Sequence, residues 1–268
     1  MRIVGDDAGF SAQVAARVDA ALRRMLPDVR LDGDQPASSQ HRLLIAIGTK
    51  GARAIDGVGA ETLVLAVLPP KHVADGGGER AITAIYGDMP PGRLINFAQL
   101  VQGRRSGSIG LVAGPVTQSR LPRLEAAASE RGARLHVEKI ERENDAGPAV
   151  ERVVRDSGVL LALPDPIAHT AGTVPPLLVI TYWAGVPVIG YSEAYLRAGA
   201  VAVLYCSPEQ IALQVAEVVA IIRQGKGLPP PQYLKYFIVG VNASVARSLG
   251  MSLPSAEELE VRLKGMRE

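Results

Sequence analysis

Apolar runs of strand length alternate with helical stretches along almost the whole chain. "RIVGD", "VRLDG", "LLIAIG", "TLVLAVL" and "AITAIYG" form a first series, and "SIGLVAG", "LHVEKI", "VLLALP", "VPVIG" and "AVAVLY" form a second. Runs this apolar, with little alternation, fit strands covered on both faces, and strands that alternate with helices belong to parallel sheets. Between the first two runs Val14, Val18, Leu22 and Met25 recur at helical spacing, which predicts a helix over 11–26 with one buried face. Gly132 punctuates the end of a later helix, and Pro175-Pro176 opens another where a missing N–H costs little.

After Tyr205 the pattern changes. "SPEQIALQVAEVVAIIRQGKG" is a long apolar-faced helix whose start is marked by Ser207, Pro208 and the capping-box partner Gln210. The Pro-rich connector "LPPPQY" leads to one more strand, "YFIVGV", and a helix from Asn242. A last helix is announced by Ser255 with Glu258 three residues on. The two five-strand series form a coarse duplication, so two Rossmann-like α/β lobes with parallel sheets are expected. The strand pattern lapses over residues 90–108, which places the break there: lobe one is 1–100, completed by about 208–268, and lobe two is 101–207. In open α/β sheets ligands bind beyond the carboxyl ends of the strands, so the residues just after each run are the candidates for function.

Composition narrows the classes. With 29 basic and 27 acidic residues spread along the chain, and only three Phe and one Trp, there is neither a basic stripe nor an aromatic platform for nucleic acid. A single cysteine, Cys206, excludes an internal disulfide framework or a C-x-x-C motif, and the residue reads as a small buried hydrophobe. No window approaches the roughly 18 apolar residues of a membrane span.

The turn "GYSEA", residues 190–194, is one residue short of the G-x-S-x-G strand-turn-helix that exposes a nucleophilic serine. That chemistry requires an acid and then a histidine after the serine, yet His41, His72, His136 and His169 all precede Ser192. Ser192 is therefore expected to cap the helix beginning at Glu193. No dinucleotide, P-loop or H-E-x-x-H motif is present. The histidines sit on different elements, so neither a metal site nor any cofactor is expected. "IGTKGAR" after the third strand is too short for a phosphate loop; Thr49, Lys50 and Gly51 still offer a hydroxyl, an ammonium and N–H groups to an anionic ligand group, with a plain turn as the alternative. "DGGGER" reads as a surface loop.

What remains is a binder's inventory: Asp6, Asp7, Thr49, Lys50, Tyr86 and Asp88 in the first lobe, and Thr117, Gln118, Asp165, Tyr191, Ser192, Glu193 and Tyr195 in the second. Carboxylates accept from an ammonium, hydroxyls and helix N-termini donate to a carboxylate, and tyrosine rings flank an apolar body.

"PVIGYSEAYLRAGAVAVLY", the Ser-Pro-Glu-Gln helix start and "VNASVARSLGMSLP" resemble the carboxyl-terminal half of the ABC-transporter substrate-binding proteins that take up tryptophan or related amino acids. The likeness extends more loosely through "LPDPIAHT" and "GPVTQS", whereas "GDDAGF" and "LPPKH" in the first lobe depart from that pattern. The resemblance implies a two-lobed periplasmic-binding-protein fold of type I, a small amino-acid-like ligand held in the interlobe cleft by hinge closure near 90–107 and 205–235, and no catalysis. It matches Asp165, the Tyr191-Ser192 turn and Thr117 to cleft-facing positions. It also implies an ABC permease as partner, a monomer, and a periplasmic or extracytoplasmic location with a presequence removed. A sensory module feeding a membrane receptor, or an enzyme on two α/β lobes, are the alternatives.

Overall fold

A computed structural model describes residues 1–28, 42–69 and 81–268. The strand expected at "VRLDG", the loop "DGGGER", His41 and His72 lie outside these residues. The chain divides into two units, Met1–Met89 with Cys206–Phe237 and Pro90–Tyr205 with Ile238–Glu268.

In the first unit β1 (Arg2–Val4), β2 (Leu43–Ile47), β3 (Leu63–Val67) and β4 (Ile82–Ile85) lie side by side in that order, all parallel. Every residue of β2 is buried, as an unbroken apolar run requires. Helix α1 (Gly9–Met25) buries Val14, Val18 and Leu22, while Met25 is exposed in the last turn. The short α2 (Gly48–Ala54) follows β2 directly. Helix α1 packs on α9 (Pro208–Arg223), which opens with the expected capping box: Ser207 Oγ accepts from Gln210 N and the Gln210 side chain accepts from Ser207 N. The Pro-rich connector behind α9 lies along the edge of β4. Gln232 donates to the Ala84 carbonyl and accepts from Tyr86 N, while the Gln214 side chain fastens Gln232, Tyr233 and Lys235.

The second unit holds a six-stranded sheet of β5 (Ser108–Ala113), β6 (Leu135–Lys139), β7 (Ser157–Leu161), β8 (Val188–Gly190), β9 (Ala202–Tyr205) and β10 (Ile238–Val241), ordered β10-β9-β8-β7-β5-β6. All neighbours are parallel except β10, which runs antiparallel to β9 at the edge. Helices α3 (Pro91–Gln102), α4 (Pro115–Gln118), α5 (Leu121–Glu130), α6 (Ala146–Val153), α7 (Val174–Trp183), α8 (Glu193–Ala198), α10 (Ala243–Ser248) and α11 (Ala256–Lys264) complete it. Pro175 and Pro176 begin α7 and Ser255 caps α11, both as read from the sequence.

Two expectations are corrected. The break falls at the start of the stretch 90–108, at Met89–Pro90, and does not extend through it, because Pro91–Gln102 is a regular helix of the second unit with Ile95 and Phe97 fully buried. Residues 238–268 belong to the second unit and not to the first: Ile238 pairs with Tyr205 and Val241 with Ala202, while Arg93 and Asn96 on α3 bind Glu268 and the Arg267 carbonyl. The chain thus passes between units at Met89–Pro90, Tyr205–Cys206 and Phe237–Ile238. The linkers expected at 90–107 and 205–235 are largely helices α3 and α9, which cannot take up dihedral change without breaking their i→i−4 bonds.

The capping box gives a direct check. Ser207→Ala leaves the Gln210 amide without its side-chain acceptor and is expected to cost about 1 kcal/mol, read as a lower midpoint in urea denaturation.

Candidate functional site

Beyond the carboxyl end of β7 the chain turns through "LPDPIAHT". Asp165 is only 4% exposed, and both its oxygens face the protein's own backbone. Oδ2 accepts from Thr117 N at 2.8 Å, and Oδ1 accepts from Ile167 N at 3.0 Å and Ala168 N at 3.1 Å. The two contacts within the turn are those an aspartate makes readily with amides just ahead of it. The contact to Thr117, by contrast, joins the turn after β7 to the one after β5. The arrangement needs Gly114: a Cβ there would occupy the carboxylate's place. Burial raises the Asp165 pKa, but donation from the Thr117, Ile167 and Ala168 amides outweighs it and holds the group below its ordinary 3.8.

Four residues on, His169 packs under this turn, 6% exposed. Its N–H donates to the Asp165 carbonyl, its own carbonyl accepts from the Tyr191 hydroxyl at 3.3 Å, and Nδ1 lies 2.8 Å from the Tyr195 hydroxyl. The imidazole meets both tyrosine rings edge-on at 70°, and the tyrosines lie 5.0 Å apart between ring centroids. Burial depresses the His169 pKa from 6.5 to about 4, offset only in part by the Asp165 charge, so the ring is neutral. Burial likewise pushes the Tyr191 and Tyr195 hydroxyls up, which keeps both as phenols.

Other candidates of this unit are engaged locally. Ser192 Oγ accepts from Tyr195 N and caps α8, the role expected of it. Glu193 forms an exposed i,i+4 ion pair with Arg197. Buried Thr117 donates its amide to Asp165. The Gln118 amide nitrogen reaches the Ala113 and Ile140 carbonyls and Glu141, tying the end of β5 to that of β6. Tyr191, just after β8, is half-buried.

The first unit repeats the device. Asp6, just after β1, accepts from Ser11 Oγ at 2.5 Å, Lys50 N at 2.7 Å and Thr49 N at 3.3 Å. It sits against Gly48, whose φ of +67° favours glycine and whose missing Cβ leaves room for the carboxylate. Burial raises the Asp6 pKa, yet the Ser11 hydroxyl, the Lys50 and Thr49 amides and the Lys50 charge lower it further. In "IGTKGAR" the Thr49 and Lys50 amides serve Asp6, and the Lys50 ammonium pairs with Asp7 at 2.6 Å. Tyr86 follows β4 and packs against Tyr233 with ring centroids 5.3 Å apart. Asp88 is near them, its carbonyl accepting from Leu234 N.

Sequence reasoning missed Tyr233 and gave His169 no role. The signal for His169 was its place four residues after Asp165 in one strand-end turn. For Tyr233 no local signal exists, since its partner lies far away in the chain.

No family model matches the chain, and no curated protein matches it either. Solved structures do. CD0873, a substrate-binding protein with adhesive properties from Clostridium difficile in its ligand-free, open form, is 18% identical over 96% of this chain and 95% of that one, with a TM-score of 0.74. An ABC domain in complex with L-Trp from Streptococcus pneumonia gives 0.65 at 10% identity over 97% and 96%. A periplasmic ribose ABC transporter from Conexibacter woesei gives 0.60 at 14% identity over 96% and 95%. At these identities the likeness establishes the fold: two α/β lobes of the type I periplasmic-binding-protein class.

Two outcomes are expected. In Asp165→Asn a carboxamide nitrogen replaces one acceptor facing backbone donors, and a loss of about 2 kcal/mol should appear in chemical denaturation. Because the folded pKa of His169 lies below its unfolded value, its contribution is fully present above about pH 6.5 and fades as pH falls toward 4. Denaturation across that window should show the wild type losing up to about 3 kcal/mol more than His169→Gln.

Proposed function

We propose that the chain is a solute-binding protein of an ABC importer, acting outside the cytoplasm and taking a small amino-acid-like molecule with an apolar or aromatic body. The observation that carries this reading is the use made of the polar residues at the carboxyl ends of the strands in a fold shared with substrate-binding proteins. They brace neighbouring strand-end turns against one another and leave Tyr191, Tyr86 and Tyr233 partly exposed beside them. Ser192, the serine nearest a hydrolase motif, is a helix cap, and the His169 ring is neutral and held by Tyr195.

Tyr191 in the second unit, and Tyr86 packed on Tyr233 in the first, are each an aromatic side chain that such a ligand would use. Asp165 and Thr117 act one step back, by fixing the turns that carry the contacts. Dihedral change on binding is assigned to Met89–Pro90, Tyr205–Cys206 and Phe237–Ile238, the peptides at which the chain leaves one unit for the other. The partner implied is a membrane permease.

Mass spectrometry of whatever is released on denaturing the purified protein should find an unaltered small molecule. A thermal-shift screen of amino acids and sugars should then find a stabiliser, since a ligand at a hundred times its dissociation constant adds about 2.7 kcal/mol. Tyr191→Ala and Tyr86→Ala should each weaken its binding by about 1 kcal/mol or more by calorimetry. Unchanged affinity in both variants removes them from the site, and turnover of the bound molecule would favour an enzyme.

A further inference from the structure

His169 is a buried titratable side chain to which ligand binding as described gives no task. It nevertheless stands at the junction of three parts of the second unit. Its amide holds the Asp165 carbonyl, its carbonyl holds the Tyr191 hydroxyl, and its ring holds the Tyr195 hydroxyl. Those contacts reach the turn after β7, the turn after β8 and the first helical turn that follows it. Among the described residues the Tyr191 hydroxyl bonds the His169 carbonyl.

The network also assigns the ring's proton. Nε2 is buried without a hydrogen-bond partner among the described residues, and the Val112 carbonyl is a backbone acceptor that acts on the ring. A carbonyl can only accept, so the interaction that does exist favours a proton on Nε2. Nδ1 is then a lone pair, and it receives the hydrogen of the buried Tyr195 phenol, which has to donate to something. A protonated ring would turn an N–H toward that same hydroxyl and place a charge among Ala168, Val112 and Tyr195 of the buried core.

We propose that His169 is the positioning residue of the second unit's site: its Nε2–H imidazole holds the Tyr195 hydroxyl and packs edge-on against the Tyr191 ring, its carbonyl holds the Tyr191 hydroxyl, and together they set the angle of the ring Tyr191 presents. The proposal rests on the reading of Tyr191 as a ligand contact. It gives this chain a device in which ring orientation is set from beneath by a neutral base, with the carboxylate of Asp165 fixing the turn and His169 fixing what the turn carries.

The test uses the full chain labelled with nitrogen-15 histidine, the His169 signals being those missing from His169→Gln. In the wild type at neutral pH, Nδ1 should be pyridine-like and Nε2 pyrrole-like, and the Tyr191 ring should give sharp signals with contacts to His169. Tyr195→Phe keeps the aromatic packing and removes only the donor. It should shift Nδ1 toward a mixed-tautomer value, broaden the Tyr191 ring signals and weaken binding of L-tyrosine and L-tryptophan about tenfold, while the cooperative unfolding transition is retained. A wild-type spectrum with the proton on Nδ1, or Tyr191 signals unchanged in Tyr195→Phe, would overturn the proposal. The expected spectra without binding of either amino acid would uphold the positioning role and reject the ligand class alone.

Discussion

A carboxylate buried against a glycine, accepting backbone amides from two separate strand-end turns, is the constraint on which the rest of this molecule depends. Asp165 does this in the second unit beside Gly114; Asp6, partly exposed beside Gly48 in the first, is a lesser version that takes two amides of the single turn after β2 together with the Ser11 hydroxyl. A parallel sheet offers at its carboxyl edge a row of turns that nothing in the sheet itself holds in register. A charged acceptor spanning two of them fixes their spacing, and each contact is a charge-assisted bond in a partly dry setting. Because the donors are backbone amides, the lock survives side-chain variation nearby and fails only if the carboxylate or the glycine is lost.

Beneath that lock the second unit packs a histidine and two tyrosines, so carboxylate, neutral base and aromatic rings form successive layers under one turn. The layering accounts for a site rich in polar residues and poor in free polar groups. Ser192, Gln118 and Glu193 all make internal contacts, as do the Thr49 and Lys50 amides.

Strands such as β2, β3 and β7 were legible because they are nearly unbroken apolar runs, β6 (LHVEK) being the polar exception, and the starts of α9 and α11 because Ser207 and Ser255 stand three residues before a partner. The helix over residues 91–102 was obscured by its setting between Pro90-Pro91 and the Gly and Arg residues of "QGRRSGS", which mimic a linker. The edge strand β10 reads as an apolar run that either sheet could accept, so its allegiance was decided by pairing with β9 and by the hold of Arg93 on Glu268. Site residues were located more readily than their tasks. An aspartate in a turn after a strand looks the same whether it waits for a ligand or serves an amide 48 positions away, as Asp165 serves Thr117.

The three crossings of the chain have a consequence for biosynthesis. Neither unit is a continuous stretch: the first lacks α9 until residue 223 has emerged, and the second lacks its antiparallel edge until residue 241. A nascent chain on the ribosome must therefore carry two open hydrophobic half-structures through most of its elongation, and both close within the last few dozen residues. Protection by chaperones, or translocation in an unfolded state, is the natural setting for a topology that postpones completion in this way.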